Sequence, residues 1–215
     1  MVYSIKLLLL LLLGTALLVV GILFFASQLP EESSPVSEKL PEYFDAPDFD
    51  LVNSQGEQVT KKDLLGTVWL VDFIFTRCTG PCPIMTQRMT SIQKALQDNG
   101  LWHKVKLVSI SVDPAYDTPE VLSQYAEAWK ADTESWLFLT GQEEYTLELV
   151  RDGFKITAQR EGSGTMDHGG MPNIMHSTSF LLVDKKGTIR KILALDEPDL
   201  PSLVVDLAGK LVNET

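Results

Sequence analysis

The stretch TVWLVDFIFT, residues 67–76, is apolar, β-branched and aromatic almost without a break. A half-exposed strand alternates apolar and polar side chains, whereas a run like this fits a strand covered on both faces. Covering it takes a layer above and a layer below, which points to alternating strands and helices. The pattern downstream agrees. Residues 49–60, FDLVNSQGEQVT, read as a hairpin around a Gly turn. Helical spacing over residues 83–99 joins Ile84, Met85, Met89, Ile92 and Leu96, and Gly100 stops it. VKLVSISVD is a second buried strand. In DTPEVLSQYAEAW, Asp117 stands three residues before Glu120 with Pro119 in the first turn, a helix start. SWLFLT is a third strand and EEYTLELVRD a short helix. STSFLLVDKKGTIRKIL gives two strands around a turn at Lys186 and Gly187, and DLPSLVVDLAGKLV closes as an amphipathic helix. These elements predict an α/β domain with a central mixed β-sheet.

The front of the chain has a different character. Residues 7–25 form an uncharged apolar run, and a membrane-spanning helix needs about 20 such residues. A cleaved secretory signal is the competing reading, but Phe24-Phe25-Ala26-Ser27 is a poor small-x-small cleavage site. Residues 1–27 are therefore expected to be a retained N-terminal transmembrane helix. No Cys follows the run to carry a lipid, and no Arg- and Ser-rich presequence precedes it. Lys6 on the short side favours a cytoplasmic N-terminus. That expectation places the chain as a single-pass protein of the bacterial inner membrane. Its soluble domain would lie on the periplasmic or extracytoplasmic side, where disulfides persist. Residues 28–42, rich in Pro, Ser and Glu, read as a tether, a composition too polar to fold alone. Residues 43–215 then make one domain of ordinary size. A formal charge of −11 argues against nucleic acid and against anionic lipid surfaces. It favours a basic partner protein.

Cys78 and Cys82, with three residues between them, are the chain's 2 cysteines. They fall where the doubly covered strand gives way to a helix. If the helix begins near Pro81 or Cys82, its unbonded N–H groups and dipole face the sulfurs and lower the thiol pKa. Residues four apart on a helix share a face, at a Cα separation that a disulfide tolerates. As a structural staple the pair would do little, because the loop it closes is minimal. A redox couple and a metal-binding dithiolate both remain open on spacing alone.

These segments together resemble one branch of the thioredoxin-like proteins, the Sco/SenC family of copper-binding cytochrome oxidase assembly factors. The resemblance is carried by GTVWLVDFIFTRCTGPCP, by VSISVDPAYDTPEVLSQYA and by a His ahead of SFLLVDKKGTI. It runs from about Asp45 to Gly209, and the anchor and acidic tether match the family's plan. Phe-Thr-x-Cys-x-x-x-Cys-Pro is its specific core, since ordinary thioredoxins carry two intervening residues. The resemblance implies a thioredoxin-like fold and copper, as Cu(I) or Cu(II), held by Cys78, Cys82 and His176. The intervening Thr79-Gly80-Pro81 lacks the acidic residue often found there in the family.

Only 3 His occur, His103, His168 and His176. In a thioredoxin-like fold the loop entering the strand after His176 lies opposite the dithiol, where thioredoxins carry a cis-proline. No Pro stands at that point here, which leaves room for an imidazole. Two thiolates and an imidazole suit Cu(I), Cu(II) or Zn(II), and three protein ligands leave an open position. Met85 and Met89 sit at helical core spacing, and Met166, Met171 and Met175 read first as loop packing rather than auxiliary copper ligands. Asp113 and Asp117 read first as turn and cap residues, and the other reading is a carboxylate near the site. Two functions follow. The first is a metallochaperone that delivers copper to the copper-receiving subunit of a respiratory oxidase. The second is a membrane-tethered thiol–disulfide oxidoreductase in which Cys78 and Cys82 are the redox-active pair. His176 discriminates, because dithiol exchange does not need it.

Overall fold

The computed structural model describes residues 39–155, 159–160, 174–175 and 178–214. The apolar run at residues 7–25, the tether up to residue 38, His168 and His176 lie outside them. Among the described residues no helix is long and apolar enough to cross a membrane.

The doubly covered run is strand β4, Val68–Ile74, and every residue in it is buried. Before it come β1 (Phe44–Asp45), the hairpin β2 (Asp50–Asn53) and β3 (Gln58–Thr60), and the single turn α1 (Lys61–Leu64). After it come α2 (Cys82–Asp98), β5 (Val105–Ser111), α3 (Pro119–Ala128), β6 (Trp136–Thr140) and α4 (Glu143–Glu148). A π-helical turn, Leu149–Gly153, extends α4. Then follow β7 (Gln159–Arg160), β8 (Ile174–Met175), β9 (Ser179–Val183), β10 (Thr188–Ala194) and α5 (Leu200–Asn213). The main sheet runs β1-β10-β9-β4-β5-β6-β2-β3, while β7 and β8 pair apart from it. It is mixed, as the sequence predicts. β4 pairs parallel with β5 from Val68↔Val105 to Ile74↔Ser111, and antiparallel with β9 at Trp69↔Val183.

Alternation along β4 sends side chains to two different layers. Trp69 and Phe73 meet Phe154 edge-on, with ring centroids 6.4 and 5.2 Å away, and Phe49 closes on Trp69 at 6.3 Å. Met85, Met89, Ile92 and Leu96 of α2 are fully buried. The helical spacing of the methionines therefore reflects core packing. α3 is tied to α2 by the Tyr125 and Thr86 hydroxyls, 2.7 Å apart, and α5 packs against α2 as well. Turn chemistry agrees with the sequence. Gly56 at φ +82° closes the β2–β3 hairpin, Gly100 at +67° stops the chain beyond α2, and Gly187 at +87° turns β9 into β10.

The start of α3 departs from expectation. Its N-cap is Thr118, whose hydroxyl accepts from Val121 N–H at 3.4 Å. Asp117 turns inward instead and is fully buried.

Opposite the end of β4 that leads to the cysteines, Arg190 fastens both termini of the domain. Its guanidinium, 2% exposed, donates to Asp184 Oδ2 at 2.8 Å and Glu214 Oε2 at 3.0 Å, and to the carbonyls of Leu40 and Pro41 at 2.5 and 3.0 Å. Burial works against the Asp184 charge, but the Thr188 backbone bond, Arg190 and the Lys186 backbone bond outweigh it and hold the carboxyl below its usual range. Removing one partner of a buried pair strands the other, at a cost of about 3 kcal/mol. Arg190→Ala should lower the urea unfolding midpoint accordingly at neutral pH. A depressed carboxylate pKa means this stability is complete above the unfolded value of about 4 and is lost as pH falls through the lower folded one. The gap between the two proteins should therefore narrow in acid, and a gap independent of pH would contradict the ion-pair origin.

Candidate metal and redox centre

β4 ends at Ile74, and the chain turns at once: Cys78 N–H donates to the Phe75 carbonyl at 3.2 Å. Helix α2 then begins at Cys82 itself, with Pro81 as N-cap. Cys78 thus precedes the helix, and the pair does not share a helix face as the spacing suggested. The loop brings the sulfurs together instead. Both are thiols, and their side chains are linked by a hydrogen bond. Gly80 N–H also donates to Cys78 Sγ at 3.4 Å.

The two sulfurs differ in access. Cys82 is 1% exposed and faces the core, whereas Cys78 is half-buried and reachable. Their electrostatics also correct the sequence expectation. The hydrogen bond shared with Cys78, then burial, push the Cys82 thiol up, and the Asp72 charge adds to this. A backbone hydrogen bond at Phe75 works the other way and is outweighed. A helix start does face this sulfur, but the thiol is too buried and too close to a second sulfur to be acidified by it.

Beneath the pair lies a polar chain within the sheet. Ser109 donates to Asp72 Oδ1 at 2.6 Å, and Trp136 Nε1 donates to Ser109 at 3.0 Å. From α2, Thr86 donates to the Cys82 carbonyl at 3.0 Å.

The aspartates singled out in the sequence do more than turn and cap. Asp117 accepts from the hydroxyls of Thr76 and Ser111, each at 2.5 Å, and from Thr76 N–H at 3.2 Å. Burial raises its pKa, and the bonds from Ser111 and Thr76 oppose the rise. Asp113 accepts from Arg77 Nε at 2.6 Å. The Arg77 guanidinium lies 4.6 Å from the centre of the Tyr116 ring. Thr76 is the Thr of the Phe-Thr-x-Cys-x-x-x-Cys-Pro motif, whereas Arg77, Ser111 and Tyr116 were not singled out in the sequence. The sequence signal for these three is position alone: Arg77 adjoins Cys78, Ser111 stands two residues before Asp113, and Tyr116 lies between the two aspartates.

Among the described residues no group of three or more His, Cys, Asp or Glu side chains is gathered to hold a metal. The chain just ahead of His176 is strand β8, which pairs with β7 at Gln159↔Met175.

The fold and the dithiol define a thioredoxin-like domain with a Cys-x-x-x-Cys pair at the end of its central strand. Within that class the chain belongs to the SCO1/SenC family, whose model matches residues 38–209. A SCO1/SenC family lipoprotein from Bacillus anthracis is 31% identical with a TM-score of 0.70, covering 79% of this chain and 96% of that one. BsSco, a member of the Sco family of cytochrome c oxidase assembly proteins described with a disulfide switch, is 29% identical with a TM-score of 0.68, over 83% and 98%. Bradyrhizobium japonicum ScoI, solved with copper bound, shares the fold at 22% identity and a TM-score of 0.65, over 78% and 99%.

Unequal access to the sulfurs has a direct readout. A bulky alkylating reagent should label Cys78 of the native reduced protein at least about 100-fold faster than Cys82, whose labelling waits on unfolding. Equal rates at the two positions would contradict the buried placement of Cys82.

Proposed function

We propose that this chain is a copper metallochaperone for cytochrome c oxidase assembly, binding copper through Cys78, Cys82 and His176. The observation that carries it is a pair of adjacent thiols, one buried and one accessible, at the end of a rigid strand. Soft sulfur donors favour copper over hard cations. A dithiol of this kind holds a metal firmly from within and leaves its outer side open for transfer. Membership in a family whose members include an oxidase assembly protein and a copper-bound structure supports the same assignment. Copper here is cargo: it enters at Cys78 and leaves to a recipient copper site. Residues 1–27 anchor the chain in the inner membrane and residues 28–42 tether residues 43–215 on its outer side. The B. anthracis relative, a lipoprotein, is in keeping with membrane attachment.

The thiol–disulfide alternative keeps one specific support, the hydrogen bond between the sulfurs. The two roles are compatible, since a dicysteine copper centre must be reduced before it is filled.

Thiols must ionise to become ligands, so copper uptake releases protons and apparent affinity rises with pH. A chain oxidised to the Cys78–Cys82 disulfide should take up no stoichiometric copper, and equal uptake by both forms would exclude a dithiolate site. His176→Ala separates the two functions. It should lower Cu(II) affinity by about 100-fold or more, since loss of a ligand's hydrogen-bond partner alone costs about 10–100-fold. Reduction of a model disulfide should continue at a similar rate. Full copper affinity together with full oxidase assembly in cells carrying His176→Ala would hand the site to the oxidoreductase.

A further inference from the structure

The two residues immediately before Cys78 are both fastened to the loop that follows β5. Thr76 is held through its N–H and hydroxyl by buried Asp117. Arg77 is held twice, by Asp113 at 2.6 Å and by the face of Tyr116 at 4.6 Å. Its side chain is 32% exposed and that of Asp113 7%. Asp113 is itself fixed, because its N–H donates to Ser111 Oγ at 3.0 Å, and Ser111 donates to Asp117. Beyond Arg77 only Thr79-Gly80-Pro81 separates Cys78 from the helix, and Thr79 and Gly80 are exposed. The sulfur itself meets Gly80 N–H and Cys82, and the side-chain anchors of the backbone leading into Cys78 lie on its upstream side.

We infer that Arg77 is a positioning residue for the dithiol: clamped between Asp113 and Tyr116, it holds Cys78 beside Cys82. This rests on the copper role of the same pair. A sulfur already ordered next to its partner loses less freedom on forming a metal site or a disulfide, so the clamp strengthens both. Opposite charges of Arg77 and Asp113 cancel locally, so the clamp orders Cys78 without adding net charge beside it. Guanidinium is suited to this role because one planar group donates a hydrogen bond and stacks on a ring; an ammonium donates but does not stack flat.

The test compares the full chain with Arg77→Ala, Arg77→Lys, Asp113→Ala and the Arg77→Ala/Asp113→Ala double variant. Copper affinity is measured by competition with a chromophoric chelator. The Cys78–Cys82 disulfide is equilibrated with glutathione, a readout that needs no copper. Arg77→Ala should weaken copper about tenfold and make the disulfide about fivefold easier to reduce, as expected for losing one charge-assisted hydrogen bond at a partly exposed site. The double variant should lose no more than either single one, and Arg77→Lys should recover part of both effects. The unfolding midpoint of Arg77→Ala should stay near that of the parent. Unchanged values in both assays, additive losses, or losses matched by a falling midpoint would each overturn the positioning role. A parent chain that takes up no copper, while Arg77→Ala still shifts the glutathione equilibrium, would refute the copper function and uphold the clamp.

Discussion

Burial of β4 on both faces is the constraint from which the rest follows. Each of its seven residues is covered, and both of its edges are hydrogen-bonded, to β5 on one side and β9 on the other. The strand can then neither shift register nor tilt without dislodging aromatic rings on one side and α2 on the other. Its carboxyl end is correspondingly well defined. A group placed just beyond it inherits that definition, and ligand sites in open α/β sheets collect outside the carboxyl ends of strands for this reason. Cys78 and Cys82 occupy that position, with the inner sulfur seated on the core and the outer one at the surface.

Arg77 and Arg190 show the same economy at opposite ends of the sheet. Arg190 gathers Leu40, Pro41, Asp184 and Glu214, so the start and the end of the domain close on one buried guanidinium. Arg77 gathers the loops after β4 and β5. The Arg190 cluster secures the fold. The partly open Arg77 cluster secures a geometry that chemistry has to use.

Hydrophobic pattern made most of the fold legible from sequence. The run at residues 67–76, the hairpin at 49–60 and the α2 spacing from Met85 to Leu96 each correspond to an observed element. Periodicity reports burial, and burial is what those segments share. Short elements escaped it: β1 has two residues and is set by pairing with Ile189 and Thr188, which are far away in sequence. At the site, sequence showed which atoms bear the chemistry but not how they are held. Spacing placed Cys78 and Cys82 on one helix face, whereas the turn at Phe75 delivers the contact. A helix start implied an acidic thiol, whereas burial and the neighbouring sulfur push Cys82 the other way. Asp117 looked like part of a helix start, and Thr118 took the cap because Asp117 was needed by Thr76 and Ser111. The Asp117 difference arises from a contact across 41 residues of chain and the Cys82 difference from burial that only the assembled sheet creates, while the turn at Phe75 is local but leaves no hydrophobic period to read.

On the proposed copper role, the fixed inner sulfur would hold the metal and the reachable outer sulfur would let it enter and leave. The most direct measurement is the visible spectrum of the reduced chain with one equivalent of Cu(II). Direct bonding of Cys78 and Cys82 to the metal should give an intense sulfur-to-copper charge-transfer band that saturates at one copper per chain and is absent after oxidation of the pair. A spectrum showing only the weak absorption of copper bound to oxygen and nitrogen would contradict a dithiolate copper site.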